Sequence, residues 1–162
     1  DAVGETFDKV ARILGLSYPG GPAIDRLASS VRKTTIRFPC ALLPDTLNFS
    51  FSGIKTAVLY FKRNYQDETK FPTAEVAHAF QESVVETLVK KSLFACKKLK
   101  TKTLLIGGGV AANSRLRKRL TDEAKKEGLK VYFPAMDLCM DNAAMIAGLG
   151  YHFLRNKKRR KA

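Results

Sequence analysis

The sequence has no tryptophan, two histidines and three cysteines among 162 residues. Cys40, Cys96 and Cys139 are odd in number and scattered, with no C-x-x-C. They offer neither a zinc finger nor a disulfide framework, and they suit a reducing cytosol. H-E-x-x-H is absent, which removes the helical zinc-protease arrangement. No apolar run approaches the roughly 20 residues of a bilayer span, and no signal peptide is visible, so a cytoplasmic protein without a membrane partner is expected. Acids are scarce. Asp and Glu number 15 against 29 Lys and Arg, a net charge of +14. That excess suits a polyanion, nucleic acid above all; a solvated lysine-rich surface gives the same count. Gly-Lys-Ser/Thr is missing, which excludes a P-loop, and the third glycine of the Rossmann G-x-G-x-x-G is missing too. No internal repeat is apparent.

Hydrophobic residues make up 45% of the chain, enough to bury a core. The pattern converges on one stretch, Thr103-Leu104-Leu105-Ile106-Gly107-Gly108-Gly109-Val110-Ala111-Ala112-Asn113. The apolar run has the length of a buried strand. Three glycines let backbone approach a ligand closely. Asn113 is placed to cap a following helix with Leu116, Leu120 and Ala124 on one face. Strand, glycine turn and helix start together suit a nucleotide, because free N–H groups point outward there. A tight turn packed on a neighbour explains the same residues.

Along the chain, Val3, Phe7, Val10 and Leu14 form a helical stripe over residues 3–14, with Gly15 as the stop. Asp1, Glu5 and Asp8 crowd its first turns. A second helix is expected from Pro22 to about Ser30, capped by Gly21. Asp25 in its first turn suits sugar hydroxyls; the helix dipole by itself also accounts for that acid. Short strands are expected near 35–38 and 47–51. Ser52 reads as the cap of a helix through Phe61, followed by a polar linker, Asn64–Pro72. Thr73 to Lys98 is a long helix with Val76, Phe80, Val84 and Leu88 in steps of four, and His78 lies off that stripe. Lys90, Lys91, Lys97, Lys98, Lys100 and Lys102 approach the glycine stretch; Arg115, Arg117, Lys118, Arg119, Lys125 and Lys126 follow it. Both sets read equally as an RNA face or as the wet sides of helices. Leu129–Phe133 is a second strand, so 103–133 is a βαβ unit with a parallel sheet. Asp141 precedes a helix from Ala143 to about Leu154, whose small residues are expected to pack against the glycine loop. Asp141 reads as an N-cap or as a metal ligand. Residues 155–162 form a basic tail.

Gly4-Glu5-Thr6-Phe7-Asp8-Lys9-Val10-Ala11, Tyr18-Pro19-Gly20-Gly21-Pro22, Phe51-Ser52-Gly53-Ile54-Lys55-Thr56, the glycine stretch, and Asp141-Asn142-Ala143-Ala144-Met145-Ile146-Ala147 together resemble the TsaD family, which makes the threonylcarbamoyl-adenosine modification of tRNA. The resemblance implies an α/β actin-like ATPase (ASKHA, ribonuclease-H-like) fold. Residues 1–154 would form the second lobe, with inserted helices. It implies transfer of threonylcarbamoyl from its adenylate to the N6 amine of the adenosine 3′ of the anticodon in ANN-decoding tRNAs. Asp8, Gly21, Asp25 and Asn113 would hold the threonylcarbamoyl-adenylate, with adenylate or ATP as ligand. Asp141 would bind one divalent ion, iron or zinc. Implied partners are tRNA and, for a bacterial protein, TsaB- and TsaE-like proteins. No side-chain nucleophile is implied.

The family's H-x-x-x-H metal motif and its serine-glycine-glycine loop are missing; only His78 and His152 occur. The chain therefore matches roughly the second half of such an enzyme. The alternative is a non-catalytic actin-like module that binds tRNA or a paralogous partner. On the transferase reading, the 162-residue chain alone shows no threonylcarbamoyl transfer to tRNA, and robust turnover in a transfer assay would count against it.

Overall fold

The computed structural model describes residues 2–39, 43 and 46–159. Asp1, Cys40 and residues 160–162 of the expected tail lie outside them. The first helix, α1 (Val3–Ile13), buries Thr6, Phe7, Val10 and Ala11 on the face expected from their spacing. Gly15, at φ 75°, stops it, with the Leu16 amide reaching the Ala11 carbonyl at 2.9 Å.

The next helix, α2 (Gly20–Ser29), starts earlier than the Pro22 expected from sequence. The cause is tertiary. Asp8 Oδ1 on α1 accepts the Gly20 amide at 2.8 Å, so the first turn is capped from another helix. Gly21 is thus the second helical residue rather than the cap, and Pro22 the third, where a missing N–H costs nothing. Gly20 seats the two helices together. A Cβ there would stand 2.7 Å from both Ala11 Cβ and Asp8 Cα.

Neither short strand expected before Ser52 forms at 35–38 or 47–51. That segment instead lies against helices: Phe38 is buried edge-on to Phe61 at 5.6 Å, and its carbonyl accepts Ser83 Oγ at 2.8 Å. In α3 (Ser52–Arg63), Phe51 is the cap residue and Ser52 is already helical, with no side-chain cap bond. Phe51 is itself buried. A 3₁₀ turn, Glu68–Lys70, interrupts the polar linker.

The long helix α4 (Thr73–Lys98) matches its expected span. It serves two cores. Val76, Phe80 and Val84 meet α1–α3, whereas Val85 and Val89 meet the βαβ unit. Phe7 packs edge-on to Phe80 at 5.0 Å, both fully buried. Such burial contributes about 1.5–3 kcal/mol per side chain. His78 is half-buried at the boundary, with Nδ1 3.1 Å from the Ala28 carbonyl. Lys91 departs from the expected basic surface. It is buried, and its Nζ donates to the carbonyls of Leu43 and Thr46. A buried ammonium needs such acceptors.

Strands β1 (Thr103–Leu105) and β2 (Lys130–Tyr132) flank α5 (Ser114–Lys126) and pair in parallel, Leu104 opposite Val131. The βαβ unit is the one expected, but its strands are not buried. Leu104 and Val131 pack toward α4 and α5, while Leu105 and Tyr132 on the other face are 75% and 55% exposed. Among the described residues, helices cover only one side of the sheet. The last helix, α6 (Ala143–Arg159), runs past the expected end at Leu154. It does not pack its small residues on the glycine turn; Ala143, Ala144, Ala147 and Gly148 are exposed, as are Met145, Ile146 and Phe153. The fold is α/β, mostly helical, with a small parallel sheet. No helix among the described residues is long and apolar enough to cross a membrane.

The contrast between adjacent glycines is measurable by urea unfolding. Gly20→Ala should cost about 1–3 kcal/mol through overpacking. Gly21→Ala, whose added methyl meets nothing within 4 Å, should be neutral or stabilising by about 0.5–1 kcal/mol. Equal losses at both would contradict the α1–α2 seat.

Candidate functional site

Gly107, Gly108 and Gly109 leave the end of β1 and are exposed. Gly108 sits at φ 88°, a conformation that disfavours a side chain. Among the described residues, the Gly107 and Gly108 amides donate to no protein group. A 3₁₀ turn, Gly109–Ala112, then leads to Asn113. Amides without a protein acceptor next to a helix start are the kind of donors an anion uses.

Asn113 caps α5 as expected: its Oδ1 accepts the Leu116 amide at 2.8 Å. The structure adds a second bond. Asn113 Nδ2 donates to Gln81 Oε1 on α4 at 2.8 Å, and both residues are buried. One Nδ2 hydrogen is left over. Asp25, on α2, accepts twice from Ser114: from its amide at 2.9 Å and its hydroxyl at 3.0 Å. Its carboxylate therefore sits at the amino end of α5 rather than serving only the dipole of α2. Five residues back, about 7.5 Å along the α2 axis, Asp8 holds Gly20.

Asp8, Gly21, Asp25 and Asn113 are thus linked through one chain of contacts across α1, α2 and α5. Asp141 joins less directly. Met140 Sδ lies 3.6 Å from where a Gly109 Cβ would stand, which sets the loop before α6 beside the glycine turn. The cap of α6 is Asn142, whose Oδ1 accepts the Met145 amide at 3.0 Å, and Asp141 is exposed outside that bond. Two open depressions, of about 340 and 720 Å³, are lined by other residues, around Arg26 and around Arg119.

Arginines brace the turn from behind. Arg117 Nε donates to the Ala111 carbonyl at 2.6 Å, and its Nη2 donates to the Pro134 carbonyl at 2.7 Å. The guanidinium also lies 5.0 Å over the Phe133 ring. Arg115 grips Glu82 of α4 through two nitrogens, and that hydrogen bonding raises its pKa. Arg119 reaches the same carboxylate at 3.5 Å. These three arginines, which from sequence read equally as an RNA face or as the wet side of a helix, make contacts within the protein itself. Sequence reasoning missed Gln81, Ser114 and Gly20. The only signals were a glutamine beside Phe80 on an apolar helix and a doubled glycine after Pro19.

A family model described as TsaD, tRNA N6-adenosine threonylcarbamoyltransferase, matches residues 1–148. A tRNA N6-adenosine threonylcarbamoyltransferase of Dictyoglomus turgidum is 53% identical over 153 residues, covering 94% of this chain and 46% of that protein. Its namesake in Thermosipho africanus is 49% identical over 152 residues, with 93% and 46% covered. That of Clostridium perfringens is 49% identical over 153 residues, with 93% and 45% covered. The chain spans about half the length of the curated relatives it matches. Among solved structures, full-length HypF in its phosphate- and nucleotide-bound form superposes with a TM-score of 0.62 at 19% identity, covering 86% of this chain and 18% of that one. At that identity the likeness is one of fold.

Asn113→Ala deletes the α5 cap and strands a buried amide oxygen. It should cost about 1 kcal/mol for the cap plus about 1–3 kcal/mol for the orphaned Gln81. Adding Gln81→Leu should recover part of that loss in a double-mutant cycle. Strict additivity would show that the two side chains do not share a bond.

Proposed function

Because the chain belongs to the TsaD family of tRNA N6-adenosine threonylcarbamoyltransferases, we propose that it forms the nucleotide-holding part of that transferase. The fold proposed is the second lobe of an actin-like ATPase domain, residues 1–154 followed by a basic tail, with the HypF likeness in support. The observation that carries the functional reading is the pair of unengaged amides at Gly107 and Gly108 beside the amino end of α5. They suit the phosphate of threonylcarbamoyl-AMP. Asp8 and Asp25 are carboxylates whose oxygens can accept further hydrogen bonds, as ribose hydroxyls require. Gly21, with open space around it, lets the nucleotide approach α2. The spare Nδ2 hydrogen of Asn113 is its remaining donor to the ligand.

In the reaction proposed, the N6 amine of the tRNA adenosine attacks the carbamoyl carbonyl carbon. A C–N bond forms, the bond from that carbon to the AMP phosphate oxygen breaks, and AMP leaves as the amine gives up a proton. No nucleophilic side chain is needed, so the chain contributes positioning and fixed dipoles.

The metal fits this chain less well. Among the described residues no three His, Cys, Asp or Glu side chains converge. One exposed carboxylate does not hold an iron or zinc ion, so no step is routed through one. We keep Asp141 as one donor to an ion whose other ligands come from outside the described residues. TsaB- and TsaE-like proteins are the proposed bacterial partners, and the cytoplasm the proposed compartment.

Thermal denaturation with and without AMP tests the site. AMP at about 100 times its Kd should stabilise the chain by about 2.7 kcal/mol. Gly108→Ala and Asp8→Asn should each remove most of that effect. If tRNA or a paralogous protein binds while AMP leaves the melting point unchanged, the chain is a non-catalytic interaction module instead.

A further inference from the structure

We propose that the end of the βαβ unit opposite the glycine turn docks the phosphate backbone of tRNA, with Lys97, Lys100, Lys102, Lys125 and Lys130 as its contacts. The inference rests on the transferase reading for the identity of the RNA. The surface itself is argued from geometry.

Both helices of this region end at the same place. At the close of α4 the Thr101 amide reaches the Cys96 carbonyl at 3.0 Å and the Lys100 amide reaches Lys97 at 3.2 Å. At the close of α5 the Leu129 amide reaches Ala124 at 2.9 Å and the Gly128 amide reaches Lys125 at 3.2 Å. These are the same paired cap, repeated. They are tied side by side, because the Lys130 amide donates to the Lys102 carbonyl at 2.8 Å where the two strands begin. Parallel pairing with a helical crossover dictates this: each helix delivers its carboxyl end to the start of the next strand.

The gathered side chains are basic and exposed: Lys97, Lys98, Lys100, Lys102, Lys125, Lys126 and Lys130. The carboxylates nearest in the chain are Glu123 and Glu127, and Glu123 is paired with Lys126 at 2.7 Å. Helix dipoles account for lysines in the last turns of α4 and α5. They do not account for Lys102 and Lys130 at the strand starts, nor for Lys100.

Lys100 is the decisive residue. It occupies the left-handed position of the α4 cap at φ 53°, and it is the only non-glycine residue with positive φ among the described residues. The equivalent position on α5 is Gly128 at φ 65°. A lysine there is strained where glycine is not. Its side chain is exposed. An ammonium group held at a strained position on a lysine-rich end is explained by a ligand outside the chain. Flexible, well-hydrated lysines suit a phosphate backbone read without base specificity. This end lies roughly 20 Å from the amino end of α5, the length of that 13-residue helix. It would therefore grip RNA away from the adenosine being modified.

The test is fluorescence anisotropy of labelled tRNA with the full 162-residue chain. Lys97→Gln/Lys102→Gln/Lys130→Gln should weaken binding at least about tenfold and lower the slope of log affinity against log salt by about 2. Arg26→Gln/Arg32→Gln/Lys33→Gln removes the same charge elsewhere and should weaken it less than about threefold. Lys100→Gly separates structure from binding. It should raise Tm by about 2–4 °C while weakening tRNA binding about threefold. Equal losses from the two triples, or a Lys100→Gly protein with higher Tm and unchanged affinity, would overturn the surface and leave the transferase reading intact. Failure of the unaltered chain to bind tRNA would count against both. Loss of binding to phosphatidylcholine–phosphatidylserine vesicles with tRNA affinity unchanged would reassign the end to a membrane.

Discussion

The amino end of α5 is held by groups that the helix does not own. Asp25 from α2 takes the Ser114 amide and hydroxyl, and Gln81 from α4 takes the side chain of Asn113. A helix start leaves several N–H groups without partners, and a free start would fray. Here Asp25 of α2 accepts one of them, the Asn113 cap accepts another, and Gln81 of α4 holds that cap in place. This polar junction is where the α1–α3 core meets the βαβ core. Remove it and the glycine turn has nothing to define its exit.

The turn's availability follows from the same arrangement. Its amides at Gly107 and Gly108 have no protein acceptor among the described residues, while Asn113 and Arg117 satisfy the Leu116 amide and the Ala111 carbonyl next to them. Arg117 fastens the Ala111 carbonyl on one side and the Pro134 loop on the other. Preorganised dipoles cost no rearrangement when an anion arrives. The glycine turn is thus braced from behind by side chains of α5, while its three glycines are exposed.

The basic charge divides by chemistry. Arg115 and Arg117 make bidentate or stacked contacts within the fold, which the planar guanidinium is suited to form, and Arg119 makes one long contact to Glu82. Lys91 is drawn inside by two carbonyls. The lysines at the carboxyl ends of α4 and α5 stay in water. A single net charge thus conceals two populations, one structural and one available to a partner.

Much of this was legible without coordinates. Residue spacing alone determined α1, α4 and α5 and the parallel βαβ unit, because helix and strand periods leave a direct trace in the order of apolar side chains. Gly15 and Asn113 were readable as a stop and a cap for the same local reason. The sequence motifs also sufficed to indicate the family, which the family match over residues 1–148 then established. What needed tertiary structure was every contact between residues distant in the chain. Asp8 moves the start of α2 from Pro22 to Gly20, Gln81 claims Asn113, and Asp25 caps α5 as well as lying in the first turns of its own helix. The exposure of β1, β2 and α6 was equally invisible, since an apolar pattern says which face seeks cover and not whether cover is present. Local order is written in neighbours along the chain. Which carboxylate meets which amide is decided only when separate helices pack.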